Sequence, residues 1–365
     1  MSSKEMPALK IGNLTARVPV VQGGMGIGIS LSGLASAVAN AGGIGVISAV
    51  GVGMGEPDFV KDVSSANKRG LKKELQKARA ASKGIIGVNI MLALTDFDEL
   101  AKVAIEEGAD LLFLGAGLPL KVPKNMSEEM QDLFLSKVVP IVSSAEVANL
   151  IFSYWVKKYN RVPDAVVVEG PLAGGHLGFK LEQLDDPEFA LEKIVPKVVE
   201  TIKKFEEQFH KKIPVIAGGG VYSGADIHHL FSLGASGAQL ATRFVATNEC
   251  DASQEFKDAY LKCTKDDIEI IKSPVGMPGR AVSNKFLREV KAGEKKPYKC
   301  PWRCLTACNV KDSPYCIAEA LTNAKAGDID NGFCFAGANV WRVDKIVSVQ
   351  ELMDELTDGF MACEK

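Results

Sequence analysis

Two short stretches decide the fold of this chain: Ile-Pro-Val-Ile-Ala-Gly-Gly-Gly at 213–220 and Gly-Ala-Gln-Leu-Ala-Thr-Arg at 237–243. Each is an apolar run that ends in glycine or polar residues, as expected for a buried parallel strand followed by a binding turn. Glycine-rich phosphate turns after the last two of eight strands are typical of a (β/α)8 barrel. An open doubly wound sheet instead has a G-x-G-x-x-G turn after its first strand. The turn Gln22-Gly23-Gly24-Met25-Gly26 follows the first strand but lacks that pattern.

Eight such apolar runs alternate with helical patterns, and we predict a TIM barrel over residues 1–245. The predicted strands are Val18–Gln22, Ile44–Ala49, Ile85–Ile90, Asp110–Leu114, Val138–Val142, Ala165–Glu169, Ile213–Ala217 and Gly237–Ala241. Several of the stretches between them follow a helical scheme. The predicted helices are Ser30–Ala41, Asp96–Glu107, Ala145–Tyr159, Pro187–Phe209 and Ala225–Leu233.

The pattern changes after residue 245. Residues 246–345 contain most of the cysteines, several prolines and little periodicity, and we predict a smaller lid there, called the lid segment below. Residues 346–365 predict a last helix that packs back on the barrel. It begins with a capping box of Ser348 and Glu351, and its apolar stripe contains Val349, Leu352, Met353 and Leu356.

The composition limits the partners of this chain of 365 residues. Its 43 basic and 45 acidic side chains nearly cancel, so we expect neither nucleic acid nor a membrane as a partner. The sequence contains no secretory signal and no apolar run of about 18 residues, which predicts a cytoplasmic protein with a small-molecule substrate. The basic residues between Lys285 and Arg303 are interpreted as a solvated surface, with a phosphate contact as the alternative.

The candidate catalytic residue lies in Glu-Gly-Pro-Leu-Ala-Gly-Gly-His-Leu-Gly at 169–178, after the sixth predicted strand. Glycine allows positive φ angles and lets a flat ligand approach the backbone closely. An imidazole beside such a surface is typical of a base that works next to a bound cofactor. We therefore predict that His176 is the catalytic residue; a tight turn with a surface histidine is the alternative.

The active site of a (β/α)8 barrel lies at the C-terminal ends of its strands. The glycines at 218–220 and the turn that Ala241 and Thr242 open can form a nest for one phosphate dianion. A single phosphate site favours FMN over a dinucleotide, with purely structural turns as the alternative. The predicted cofactor-binding residues are Gln22, Gly23, Gly24, Met25, Asn89, Glu169, Gly174, Gly175, Gly219, Gly220, Gln239, Leu240, Ala241 and Thr242.

Four of the eight cysteines follow the spacing Cys300-x3-Cys304-x3-Cys308-x7-Cys316. Without a secretory signal, cysteines indicate free thiols or metal ligands rather than disulfides. Four thiolates can ligate zinc or an iron–sulfur cluster. Because the spacing is not the C-x2-C pair of zinc sites, we favour a 4Fe–4S cluster, with unligated thiols as the alternative.

Several stretches together resemble the FMN-dependent nitronate monooxygenases, formerly called 2-nitropropane dioxygenases, and equally the related flavin-type enoyl-acyl-carrier-protein reductases. They are Pro19–Met25, Asn40–Gly45, Gly87–Asn89, Glu169–Gly178, Ala217–Gly220 and Gly237–Phe244. The resemblance implies a TIM barrel with FMN at its mouth and His176 as catalytic base. Many of the monooxygenases carry Gln at the position of Glu169, the reductases often carry Glu, and typical members lack the cysteine cluster.

The leading hypothesis is an FMN-dependent oxidoreductase that oxidises alkyl nitronates or nitroalkanes with His176 as base. The alternative is an NAD(P)H-dependent enoyl thioester reductase. A third hypothesis, from a different functional class, is a non-catalytic flavin or metal sensor of redox state. The expected assembly is a homodimer.

Overall fold

The computed structural model describes residues 5–121, 127, 137–294, 296, 298–300, 302–306 and 308–364. Its strands are β1 (Leu9–Ile11), β2 (Leu14–Ala16), β3 (Val20–Gln22), β4 (Ile44–Ser48), β5 (Ile85–Met91), β6 (Leu111–Gly115), β7 (Val138–Val142), β8 (Val166–Glu169), β9 (Gly175–His176), β10 (Val215–Gly218), β11 (Gly237–Leu240), β12 (Ile268–Lys272) and β13 (Pro278–Val282).

Eight parallel strands close into a barrel in the order β3-β4-β5-β6-β7-β8-β10-β11, and β11 pairs back onto β3. The TIM barrel prediction is therefore confirmed. All eight predicted strands are present, with ends that shift by at most two residues. Their positions were predictable because a strand buried on both faces is a continuous apolar run.

The helices are α1 (Ser32–Asn40), α2 (Val63–Ala81), α3 (Phe97–Glu106), α4 (Ala145–Tyr159), α5 (Leu191–Phe209), α6 (Gly224–Ser232), α7 (Thr242–Val245), α8 (Gln254–Leu261), α9 (Lys285–Lys291), α10 (Ile317–Lys325) and α11 (Val349–Cys363). Short 3-10 helices cover Leu181–Gln183, Pro187–Phe189, Lys265–Asp267, Ile329–Asn331 and Val340–Arg342. The five predicted barrel helices are present. The sequence analysis missed α2, whose buried face carries only two leucines among small and polar residues, a weak periodic signal.

The side chains of the barrel strands alternate between the barrel interior and the surrounding helices. The hairpin β1–β2 adds Leu9, Ile11 and Ala16 to the interior cluster and closes the N-terminal end of the barrel. The opposite end, where the strands finish, is called the barrel mouth below. The interior cluster also contains Val21, Ile44, Val46, Leu111, Phe113, Val139, Ala165, Val167 and Ile216.

The lid segment is more ordered than its sequence suggested. Its strands β12 and β13 form an antiparallel hairpin, and β9 from the barrel loop joins them as the third strand. Three lid helices, α8, α9 and α10, surround this sheet. The lid segment has its own small core of Ala281, Phe286, Leu287, Tyr315, Ile317, Ala320 and Phe333.

The last helix, α11, begins with the predicted capping box, in which the Ser348 hydroxyl accepts the Glu351 N–H at 3.2 Å. It packs against α6, where a Cβ on Gly224 would lie 2.1 Å from the Leu356 carbonyl oxygen. Only glycine allows this close helix crossing. Among the described residues, no helix is both long enough and apolar enough to cross a membrane.

Candidate active site

Polar side chains form the last interior layer of the barrel at its mouth. Val167 lies in the interior cluster, so Glu169, two residues further along β8, faces the same side. The same alternation directs Asn89 of β5 and Gln239 of β11 inward. Gly115 and Gly218 occupy interior positions at the ends of their strands and leave space between these side chains. The barrel mouth therefore contains unfilled space lined by three polar side chains, those of Asn89, Glu169 and Gln239.

Glu169 is a half-buried acid whose carboxylate has no hydrogen-bond partner among the described residues. Burial raises its pKa from 4.5 to about 7. The strand register places Glu169 beside Gly218, which has no side chain that could interact with it. A carboxyl group in this position is suited to a ligand that donates a hydrogen bond.

The turn after β10 presents free backbone N–H groups. Gly219 and Gly220 have φ angles of +99° and +89°, which favour glycine. Among the described residues, no acceptor bonds the N–H of either glycine. Thr242 is the first residue of α7, after Ala241, so its N–H has no acceptor within that helix. These groups can form the predicted anion nest.

The residues of the first turn lie close to the other strand ends. The Gly23 N–H donates to the Leu240 carbonyl at 2.7 Å. A Cβ on Gly24 would lie 2.3 Å from the Asn89 Cβ, so the turn passes directly over β5. Met25 is half-buried, and its N–H donates to the Ser30 hydroxyl at 2.9 Å. The structure thus brings the first turn to the barrel mouth together with β5 and β11.

Gln22 requires a correction, because it does not face the mouth. The neighbouring Val21 lies in the interior cluster, so Gln22 points the other way, and its exposed fraction is 0%. Its Oε1 accepts the Val46 N–H at 2.9 Å, and its Nε2 donates to the Gly23 carbonyl at 2.5 Å. The Gln22 side chain therefore stabilises the end of β3 through hydrogen bonds to the backbone and does not face a ligand at the mouth.

His176 is held over the mouth by the lid segment. It lies in β9, and its backbone pairs with Gly279 of β13. Its Nε2 is 2.7 Å from the hydroxyl of Ser273, which is only 3% exposed. The centroid of its ring lies 5.1 Å from the ring centroid of Phe335, in a T-shaped arrangement. Burial lowers the pKa of His176 from 6.5 to about 4. The imidazole is therefore neutral at physiological pH and can accept a proton.

Arg280 supports the loop that carries His176. Its guanidinium is buried, and Nη1 donates to the carbonyls of Pro171 and Ala173 at 2.5 and 2.8 Å. These carbonyls precede Gly174 and Gly175, the two predicted glycines of the loop. Gly174 has no room for a side chain, because a Cβ would lie 2.5 Å from the Ala336 carbonyl carbon. The loop is thus packed closely between the barrel and the lid segment.

The lid residues 335–339 bridge the phosphate turn and the histidine loop. The Gly337 N–H donates to the Thr242 hydroxyl at 3.0 Å, and the Asn339 side chain donates to the Gly220 carbonyl at 2.5 Å. Sequence analysis missed Phe335, Gly337, Asn339 and Ser273 as site residues. The glycine at 337 and the Ser-Pro-Val-Gly turn at 273–276 were available signals, although neither indicates by itself which part of the barrel it contacts.

The four cysteines of the predicted metal site are half-buried free thiols. Across the part of the chain that the structure describes, no group of three or more His, Cys, Asp or Glu side chains is placed to hold a metal ion. The structure therefore gives no support to a zinc site with a single ion.

A groove of about 830 Å³ lies away from these residues. It is at the closed end of the barrel, beside Lys10 of the hairpin and Pro214 and Ser236, which precede β10 and β11. Barrel strands carry their ligand-binding residues at the other end. We therefore assign the candidate active site to the mouth and not to this groove.

A closed parallel barrel with free backbone N–H groups after its last two strands and a histidine beside its mouth is the architecture of a (β/α)8-barrel enzyme. A family model described as nitronate monooxygenase matches residues 8–359. The chain belongs to the nitronate monooxygenase family.

Individual relatives agree with this assignment. The chain is 25% identical over 303 residues to a probable nitronate monooxygenase of Staphylococcus aureus, covering 76% of this chain and 78% of the relative. FabK from Thermotoga maritima has a TM-score of 0.71 and 27% identity, covering 95% of this chain and 94% of FabK. A nitroalkane oxidase from Streptomyces ansochromogenes shares the fold, with a TM-score of 0.70, 22% identity, and coverage of 95% and 96%.

Proposed function

We propose that this protein uses FMN to oxidise alkyl nitronates or nitroalkanes, and that His176 is the base that removes the proton from the carbon beside the nitro group. The observation that carries the proposal is the neutral, oriented imidazole of His176 above a mouth with a single anion nest. The family supports an oxidoreductase with this substrate class.

The residues at the mouth fit FMN. The free N–H groups of Gly219, Gly220 and Thr242 would hold its phosphate. Asn89 and the unpartnered carboxyl of Glu169 would face its ring system, because both point into the space left open at the strand ends. When bound, the flavin supplies the two-electron redox chemistry that protein side chains lack.

His176 performs the proton transfer in this proposal. Its hydrogen bond to Ser273 and the ring edge of Phe335 fix the imidazole plane. Among the described residues, Nδ1 has no hydrogen-bond partner. The C–H beside a nitro group is acidic enough for a positioned base, and a neutral imidazole can take that proton without first losing its own.

An enoyl thioester reductase is the second candidate, and two observations favour it. FabK, an enoyl-acyl-carrier-protein reductase, covers nearly the whole chain at 27% identity. Glu169 is the residue that the reductases often carry. However, a reductase must deliver a proton to its product, and a histidine with a pKa of about 4 is mostly unprotonated at neutral pH. For this reason we place the nitronate activity first.

Anaerobic spectroscopy of the purified protein separates the two candidates. We expect a yellow protein whose flavin absorbance is bleached by an alkyl nitronate and restored by oxygen. Bleaching by NADH or NADPH alone, followed by recovery on addition of an enoyl thioester, would instead establish the reductase. A redox sensor would show no turnover with any of these donors and acceptors. A homodimer, a cytoplasmic location and the use of NAD(P)H remain predictions.

A further inference from the structure

The cysteines at 300, 304, 308 and 316 take no part in the proposed flavin chemistry, yet they occupy one neighbourhood. The thiol of Cys304 is close enough to those of Cys300, Cys308 and Cys316 to interact with each of them electrostatically. All four are half-buried. They come from a chain stretch that mostly lacks regular structure, so their convergence is not imposed by a helix or a sheet.

Local geometry around two of these thiols suits a thiolate ligand. The Arg303 N–H points at the Cys300 sulfur at 3.4 Å, and Arg303 takes a left-handed φ of +44° to make this turn. Cys316 is the N-cap residue of α10, where the backbone N–H groups of Ala318 and Glu319 lower the pKa of its thiol, while burial, the larger effect, raises that pKa to about 11. Backbone N–H groups near a sulfur stabilise its ionised form.

Two buried hydrogen-bond donors lie in the same stretch as the cysteines. The Trp302 indole N–H is buried without a hydrogen-bond partner among the described residues, whereas the Tyr298 hydroxyl lies within hydrogen-bonding reach of the Ser313 and Cys308 side chains. Tyr298 is close enough to Cys308 and Cys316 to interact with them electrostatically. Because a buried unsatisfied donor costs about 1–3 kcal/mol, the Trp302 N–H favours an additional hydrogen-bond acceptor in this stretch.

We propose that Cys300, Cys304, Cys308 and Cys316 ligate an iron–sulfur cluster through four thiolates. Each thiol releases its proton to solvent as its sulfur binds iron. A single tetrahedral ion would need the sulfurs close together, roughly 3.8 Å apart for bonds of about 2.3 Å, and no three described donors are so placed. A four-iron cluster needs four thiols in one neighbourhood without such contact, and its sulfides accept hydrogen bonds.

The cluster would lie beside the loop that follows β5. The Thr306 N–H donates to the Ala93 carbonyl at 3.0 Å, the Thr95 N–H donates to the Cys304 carbonyl at 3.2 Å, and Leu305 pairs with Leu94. This loop begins three residues after Asn89 of the active site, because β5 ends at Met91. The cluster would therefore anchor the lid segment to the barrel near its mouth.

The experiment is metal and sulfide analysis of the full flavin-containing chain, purified without oxygen and, in a parallel sample, reconstituted with iron and sulfide. We expect about four iron and four sulfide per chain, with a broad visible absorption that dithionite reduces. One zinc per chain, or a reconstituted protein without iron whose four thiols all react with a thiol reagent, would overturn the proposal.

Substitution of single cysteines tests which of them ligate the proposed cluster. Cys304→Ser should lose most of the iron, whereas Cys363→Ser, at the exposed end of α11, should keep all of it. Flavin content and circular dichroism show whether the Cys304 variant folds. Should it not fold, Tyr298→Phe provides the second test: it should keep the iron and shift the reduction potential of the cluster, because hydrogen bonds to the sulfurs tune that potential. Loss of iron in Cys363→Ser, or an unchanged potential in Tyr298→Phe, would contradict the assignment.

Discussion

The Nε2 atom of His176 lies 2.7 Å from the Oγ atom of Ser273, although 97 residues separate them in the chain. The histidine belongs to a barrel loop and the serine to the lid segment. The backbone of the two parts is also joined, because β9 pairs with β13. The proposed base is therefore oriented only when the lid segment is folded onto the barrel.

Substitution of His176 should slow the oxidation of a neutral nitroalkane more than the oxidation of its preformed nitronate. We expect His176→Asn to lower kcat/KM for a neutral nitroalkane by about 10²–10⁴-fold, the usual contribution of a positioned base. Oxidation of the preformed nitronate should change by much less, because its proton is already gone. Steady-state oxygen uptake with both forms of one substrate measures the difference. Equal losses with both forms would show that His176 binds substrate and is not the base.

The hydrogen bond from Ser273 should orient the His176 imidazole and thereby contribute to kcat/KM. Ser273→Ala removes one bond to the imidazole, and a net value of about 1 kcal/mol corresponds to a five- to tenfold loss in kcat/KM for the nitroalkane. In the wild type, kcat/KM should fall as the pH drops through about 4, where His176 becomes protonated, and this acid limb should move in the variant. Ser283→Ala, in the same lid segment, is the matched control and should leave the pH profile unchanged.

Glu169 should make the stability of the flavin-free protein depend on pH. Burial raises its pKa in the folded state to about 7, above its ordinary value of 4.5. The folded state therefore holds the proton more tightly, and the resulting stabilisation, complete below pH 4.5, disappears as the pH rises to about 7. The loss is at most about 3 kcal/mol, and water in the mouth reduces it.

Urea unfolding of the flavin-free protein at several pH values tests this prediction. The decrease in unfolding free energy should be absent in Glu169→Gln, which keeps the shape without the titrating group. Glu192→Gln, an exposed position on α5, should retain the decrease of the wild type. A decrease of the same size in Glu169→Gln would mean that another group is responsible.

The turn after β10 should govern flavin affinity. Gly220→Ala places a Cβ at a φ of +89° and 3.0 Å from the Leu172 side chain, which distorts the free N–H groups. We expect FMN affinity to fall at least tenfold, about 1.4 kcal/mol, as measured by fluorescence titration. Gly108→Ala has a similar φ of +76° in open space, so it controls for backbone strain alone. If both variants bind FMN equally, the turn does not hold the phosphate.

Much of the site could be predicted because strand ends are local features. Asn89 and Glu169 each end an apolar run, and parallel strands in a barrel deliver their ends to one mouth. The prediction for Gln22 was wrong because it also ends an apolar run, yet lies one residue out of step with the interior positions. In a three-residue strand the direction of one side chain depends on register, and the consecutive valines before Gln22 conceal that register.

The sequence by itself determined the eight strands, the final helix and the two turns of the proposed anion nest, because each is encoded by residues close together in the chain. Only the tertiary structure decided what covers the mouth. Ser273 and Phe335 reach His176, and Gly337 reaches Thr242, across 95 residues or more. Such contacts depend on how the lid segment docks on the barrel, and that docking is set by surface complementarity between distant elements rather than by any local pattern.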